Sequence, residues 1–255
     1  MGSALVLYAR VPRLGCVKTR MVPWLADGEA LRLHLALLHD SLWLLRQAAV
    51  EAGAAPFVSF SEPWAPGESE EHHELAAAIG GLALRPQGDG DLGQRLEATC
   101  TGLHAEGYSE VVVIGSDCPE LPPAVVRSAF EALRQGARVV LGPAEDGGYY
   151  LLGVTPQIPA IFSGIPWSTG RVMETTLAVL DRASVRASIL PSFDDVDVPS
   201  DLERLAARAG RPGPGAGAMT FAFIESLRLA GRLPAAPAGP SGSPTTRDPG
   251  SRARS

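Results

Sequence analysis

Short runs of branched aliphatic residues alternate along this chain with longer segments of helical periodicity, and few architectures accept that order. The plainest run is Val111-Val112-Val113-Ile114, where four apolar residues without polar alternation mark a strand covered on both faces. Similar strand-like runs are predicted at residues 4–9, 56–60, 82–85, 138–142, 149–154 and 185–190. Between them, Leu31, Leu35, Leu38, Leu42, Leu45 and Ala49 recur at spacings of four and three, one apolar stripe on a long helix that packs on a sheet. Further helices are predicted over 68–79, 92–105, 122–135, 171–180 and 200–209, with proline opening the segment at 122 where a missing N–H costs nothing. This alternation implies an α/β domain: a mostly parallel sheet with helices on both faces. Ligands of such sheets lie beyond the carboxyl ends of the strands, which directs attention to the loops after Ala9, Arg85, Ile114, Gly142 and Leu190.

The pattern fills residues 1–209. Residues 210–233 read as a Pro/Gly linker followed by a last helix near 219–229, and 234–255 as a Pro/Ser/Gly/Arg tail expected to be disordered, since it has too little apolar content to bury. A net charge of −6 argues against duplex nucleic acid as a partner. No apolar run approaches the ~18 residues of a membrane span, and the first residues lack a signal-peptide layout. Cys16, Cys100 and Cys118 form no C-x-x-C pair and are odd in number, which fits a reducing compartment. The expected location is the cytoplasm. The chain has no asparagine and a single lysine, Lys18; every other basic side chain of the Lys/Arg type is arginine.

That lysine lies in the first loop, which carries Arg10, Arg13, Lys18 and Arg20 around Gly15. Four cations between a first strand and its helix, in an acidic protein, suit a phosphate chain. Val17 stands where a Walker A motif would need glycine. The loop is expected to be exposed, so that Lys18 would add little to stability. Gly115-Ser116-Asp117-Cys118-Pro119 follows the most apolar strand, and Asp117 reads either as a ligand of a hard divalent cation or as a cap of the next helix. Glu145-Asp146-Gly147-Gly148-Tyr149 reads either as a hairpin turn or as a close backbone approach to a ligand. In Asp194-Asp195-Val196-Asp197, Asp195 or Asp197 could complete a metal site, while Asp201 suits the first turn of a helix. Gly88-x-Gly90-x-x-Gly93 matches a dinucleotide fingerprint in spacing only, because its aspartates would repel a pyrophosphate. His72-His73 reads as a solvated helix face.

Taken in order, Lys18-Thr19-Arg20, Gly90-Asp91-Leu92-Gly93-Gln94-Arg95, Gly115 to Pro119, Asp146 to Leu151, Trp167-Ser168-Thr169 and Asp195 to Leu202 resemble one known group. This is the bacterial GT-A-like transferases labelled selenodomain-associated or arsenosugar-pathway glycosyltransferases. The arrangement is also similar to nucleotidyltransferases such as phospholactate and molybdopterin guanylyltransferases. The resemblance covers about Leu5 to Leu205. It implies a GT-A-like fold, with Arg10, Gly15, Lys18 and Arg20 on phosphates and Gln87, Gly90, Asp91 and Gly93 near the base. Asp117 would bind Mg²⁺ or Mn²⁺ with Asp197 or Asp195, and Asp146, Gly147, Gly148, Tyr149, Trp167 and Ser168 would face the sugar or acceptor. Lys18, Arg20 and Asp117 would carry the chemistry.

Two reactions follow from that site. One is glycosyl transfer from a nucleotide sugar to a small-molecule acceptor. The other is nucleotidyl transfer from a nucleoside triphosphate with release of pyrophosphate, which the cation-rich loop suits. A non-catalytic nucleotide-sugar sensor would be expected to lack the metal carboxylates, and this chain has them.

Overall fold

The computed structural model describes residues 2–65, 70–157, 161–208 and 216–234. Residues 210–215 of the expected linker and 235–255 of the expected tail lie outside the described residues. Strand β1 (Gly2–Ala9) leads through the first loop and a 3-10 turn (Thr19–Met21) into α1 (Asp27–Ala52). There follow β2 (Ala54–Phe60), α2 (Glu70–Ile79), β3 (Ala83–Pro86), α3 (Leu92–Ala105), β4 (Tyr108–Gly115) and α4 (Pro123–Arg134). The chain then runs through β5 (Val139–Pro143), β6 (Tyr149–Val154), α5 (Val172–Arg182), β7 (Ala187–Ile189), α6 (Pro199–Arg208) and α7 (Ala218–Leu229).

The strands form one sheet in the order β3-β2-β1-β4-β6-β5-β7. All neighbours are parallel except β6, which runs antiparallel to both β4 and β5. Tyr149–Val154 returns from β5 as a hairpin and inserts beside β4, so the hairpin reading of the Gly-Gly segment describes the local geometry. Its tip, residues 144–148, thereby reaches the same sheet edge as the loops after β1 and β4. The result is a mixed, mostly parallel α/β sheet with helices on both faces.

Alternation along β1 divides its side chains between two cores. Leu5 and Leu7 pack with Leu38, Leu42 and Leu45 of α1 and Phe130 of α4. Ala4, Val6 and Tyr8 face Leu96, Cys100 and Leu103 of α3 and Leu180 of α5. Val111 to Ile114 are buried throughout, each side chain contributing roughly 1.5–3 kcal/mol. That burial pins the end of β4 and so the start of the Asp117 loop. Helix α1 ends at Gly53, whose left-handed φ of 67° lets its N–H close on Ala49 and Val50 carbonyls.

A third core lies on the outer side of α1. Met21, Leu25, Leu33 and Leu37 meet Leu202 and Leu205 of α6 and Phe221, Ile224 and Leu227 of α7. The buried carboxylate of Asp40 caps α7 across the fold, accepting from the Met219 N–H (2.9 Å), the Thr220 N–H (2.8 Å) and the Thr220 hydroxyl (2.6 Å). Among the described residues no helix is long and apolar enough to cross a membrane.

Candidate active site at the carboxyl edge of the sheet

Lys18 is not the exposed cation its loop suggested, although Arg10, Arg13 to Cys16, Thr19 and Arg20 around it are exposed. Val17 and Met21 are buried, and the Lys18 side chain is only 4% exposed. Lys18 Nζ donates to Asp117 Oδ1 at 2.7 Å and to the Val196 carbonyl at 2.7 Å, and stands 3.9 Å from Asp197 Oδ1. The expectation that Lys18 adds little to stability is therefore corrected: its ammonium ties the loops after β1, β4 and β7 together. Arg20 pairs with Asp197 at 2.5 Å, and Arg13 with Glu62 at 2.6 Å. Arg10 is exposed and forms no ion pair among the described residues, while its carbonyl is bonded to His34 Nε2 at 3.1 Å. Gly15 is exposed with φ of 73°.

Asp117 does not cap α4, whose N-cap is Pro122. Its backbone carbonyl instead accepts from the Val196 N–H at 2.9 Å, locking the β4 loop to the 194–198 segment. Burial alone would raise the Asp117 carboxyl. Lys18, His34 and Arg10 outweigh that and hold it below its ordinary value, and with 42% of the side chain open the carboxylate still faces solvent.

Other carboxylates gather around it. Burial, then the charges of Asp146 and Asp117, pushes Asp195 up to about 6. Among the described residues neither Asp146 nor Asp195 has an ion-pair partner, whereas Arg208 reaches Asp194 and Glu120, and Arg204 reaches Glu145. Asp201 accepts from the N–H groups of Asp197 (2.9 Å) and Val198 (2.8 Å), the first-turn role its position suggested.

The donor set is compatible with a divalent cation held in one way only. Among the described residues no group of three or more His, Cys, Asp or Glu side chains converges tightly enough to cage a metal. Mg²⁺ commonly takes one or two carboxylates and leaves its remaining positions to water and substrate phosphates. Asp117 with Asp195 or Asp197 fits that second pattern, and the uncompensated charge around Asp195 supplies the attraction.

The other predicted residues divide. Asp146 is exposed at the hairpin tip, with its Oδ1 accepting from the Gly148 N–H at 2.8 Å. Gly147 (φ 88°) lies so close to Gly170 that an added Cβ would stand 2.1 Å from the Gly170 carbonyl, and its own carbonyl accepts from Met173 at 2.8 Å. The hairpin and the Trp167–Ser168 segment are thus one packed unit. Ser168 is exposed with φ of 62°, and Trp167 meets Tyr149 edge-on at 6.1 Å.

Gln87, Gly90, Asp91 and Gly93 sit at the ends of β3 and α3. Gln87 is buried, its amide donating to the Ser59 (2.9 Å) and Ala9 (3.3 Å) carbonyls. Asp91 caps α3 reciprocally with Gln94. Gly90 turns at φ 99°, and Gly93 is pressed against Trp167, where a Cβ would stand 2.2 Å from the indole nitrogen. The Gly88-to-Gly93 spacing thus serves a turn, a cap and a close packing contact. His72 is half-buried with Nε2 at 3.3 Å from the Pro12 carbonyl, against the solvated reading, while His73 is exposed.

Three supporting residues escaped the sequence. His34 is buried in α1 beside Arg10, and burial, outweighing the pull of Asp117, holds its ring below the ordinary value. Ser41 donates to the Leu37 (2.8 Å) and Ser116 (3.2 Å) carbonyls, bracing the residue before Asp117. Asp40 is the third. All three lie inside α1 (Asp27–Ala52) among its apolar residues and carry no local signal. An open groove of about 700 Å³ adjoins Pro12, Leu14, Arg32 and His72. None of Lys18, Asp117, Asp195 or Asp197 lines it.

The comparisons agree with this architecture. A family model described as "Uncharacterized protein conserved in bacteria (DUF2064)" matches residues 44–169. No curated protein matches the chain. The chain is similar to the crystal structure of a "putative nucleotide-diphospho-sugar transferase" from Desulfovibrio desulfuricans G20, at 28% identity and a TM-score of 0.76, over 90% of this chain and 96% of that one. A cytidylyltransferase from Leptospira borgpetersenii shares the fold at 13% identity and a TM-score of 0.51, over 91% and 95% of the two chains. By fold, the chain is a GT-A-like α/β protein, similar to a putative nucleotide-diphospho-sugar transferase and sharing its architecture with a cytidylyltransferase.

Proposed function

We propose that this protein is a divalent-cation-dependent glycosyltransferase that uses a nucleotide-diphosphate sugar and a small-molecule acceptor. The observation that carries the reading is the meeting of Asp117, Asp195 and Asp197 with the Lys18–Arg20 loop at the carboxyl edge of the sheet. In the transfer, an acceptor oxygen attacks the anomeric carbon as the bond from that carbon to the diphosphate oxygen breaks. The nucleoside diphosphate leaves with the electron pair, and the acceptor's proton passes to Asp146, which is exposed and free of ion pairs among the described residues. A bound Mg²⁺ or Mn²⁺ on Asp117 with Asp195 or Asp197 would neutralise the departing diphosphate. Arg10, which lacks a carboxylate partner among the described residues, and the Lys18–Arg20 segment bind the same anion, with Gly15 permitting a close backbone approach. Gln87, Gly90, Asp91 and Gly93 shape the base side. Trp167, Ser168, Gly147, Gly148 and Tyr149 form the acceptor side. The labelled selenodomain-associated or arsenosugar-pathway group, and a cytoplasmic location without nucleic-acid or membrane partners, belong to this proposal.

Nucleotidyl transfer is the second reading, favoured by one observation: three or four cations on a single short loop suit a pyrophosphate leaving group. Incubation with a panel of nucleotide sugars and nucleoside triphosphates, with Mg²⁺ and Mn²⁺, separates the two. Metal-dependent release of a nucleoside diphosphate is the expected result. Pyrophosphate release would establish the second reading instead, and turnover undiminished by chelation would refute the metal role.

A further inference from the structure

The ammonium of Lys18 stands where the reading above seats a divalent cation. It contacts Asp117 at 2.7 Å, lies 3.9 Å from Asp197, and takes the Val196 carbonyl between them at 2.7 Å. The backbone holds this pose at a cost, since Lys18 has φ of 48°, a region that residues with side chains seldom adopt. The Lys18 carbonyl closes the following 3-10 turn on the Met21 N–H at 2.9 Å, so the strained residue is gripped on both sides. Around the ammonium the charge is otherwise negative, apart from Arg10 and the Arg20 side chain already engaged by Asp197. A compact ammonium with three donors meets this space; a planar guanidinium would not enter it.

We infer that Lys18 is the resident counter-ion of the metal-free site, and that a divalent cation binds Asp117 by displacing the Lys18 ammonium toward the phosphate side. The inference rests on the metal assignment above. A doubly charged ion on Asp117 repels the ammonium that stands 2.7 Å from the same carboxylate, and that repulsion favours displacement of the lysine. The exchange gives a single residue two duties. Without metal, Lys18 closes the three loops and keeps its charge away from phosphate. With metal, the same charge becomes free for the diphosphate. Substrate and metal would then bind cooperatively, because each favours the displaced lysine.

The chain's composition makes the test clean, since Lys18 supplies the only lysine ε-amine. The wild-type protein is reductively methylated with and without Mg²⁺, at constant ionic strength, and Lys18 is read by peptide mass spectrometry with the terminal amine as internal standard. Mn²⁺ binding is measured in parallel by electron paramagnetic resonance on wild type, Asp117→Asn and Lys18→Met. Lys18 should be protected without metal and label about tenfold faster with it, and Lys18→Met should bind Mn²⁺ about tenfold more tightly than wild type. Mn²⁺ binding that depends on Asp117 but leaves Lys18 labelling unchanged overturns the exchange and spares the metal assignment. Absence of Mn²⁺ binding, or binding unaffected by Asp117→Asn, overturns the assignment and the exchange with it. The labelling arm uses wild type, so the exchange is tested even if the Lys18→Met chain fails to fold.

Discussion

Replacing Asp40 by alanine should loosen the C-terminal helix from the body of the fold. The carboxylate accepts three hydrogen bonds from the first turn of α7. Thr220 is fully buried, so its N–H and hydroxyl lose their acceptor and cannot turn to water. Each such orphan costs about 1–3 kcal/mol. The Met219 N–H sits on a half-exposed residue and can be rehydrated. Against the loss stands the removal of a buried carboxyl, which burial holds above its ordinary value despite the bonds from Thr220 and Met219. The balance is a loss of about 2–4 kcal/mol, or roughly 4–16 °C in Tm for a chain of this size. Thermal and urea unfolding followed by circular dichroism measure it, with Asp40→Asn, which keeps one acceptor oxygen, falling between. A loss below about 0.5 kcal/mol, the range of surface substitutions, would refute the cap. The pH dependence has a sign. Because the native carboxyl keeps its proton to higher pH than the unfolded one, its contribution falls as pH rises from 3.8 through the raised native value, then stays level. Asp40→Ala should lack that decline.

Asp117→Asn should abolish turnover while leaving the circular dichroism spectrum native, because the amide oxygen still accepts from Lys18; full activity would refute the metal role. Lys18→Arg should lower kcat/KM at least about tenfold, about 1.4 kcal/mol of transition-state stabilisation, and also lower Tm, since the broader guanidinium must leave its buried seat. Steady-state kinetics and a thermal melt measure both, and wild-type values in each would leave the single lysine without a special role. Gly93→Ala should displace Trp167, because the new methyl would stand 2.2 Å from its indole nitrogen and 2.5 Å from the Phe162 carbonyl. A changed tryptophan emission with a stability loss of about 1–3 kcal/mol is expected, and an unchanged spectrum would refute the contact.

Strand and helix positions were legible in the sequence because both signals are local. Val111 to Ile114 is apolar throughout because both faces of β4 are covered, and α1 shows its stripe because one face packs on the sheet. The segments expected to carry chemistry were legible for a related reason: a parallel α/β sheet sends its loops to one edge, so Lys18, Asp117 and Asp197 could be grouped from chain order alone. What those side chains do to one another was decided only by tertiary structure. Lys18 meets Asp117 across 99 positions and the Val196 carbonyl across 178, and Asp40 meets Thr220 across 180. No local pattern encodes such pairs, since each partner is compatible with many others until the sheet brings one within reach. The same holds for the place of β6 in the sheet: the Gly147-Gly148 turn could be read as a hairpin, but nothing local shows that Tyr149–Val154 inserts beside β4. Its antiparallel seat between β4 and β5 comes from a short hairpin that cannot make the long crossover a parallel neighbour requires. Residue type and period are properties of neighbours in sequence; the burial of Lys18 is a property of which loops the packed sheet leaves side by side.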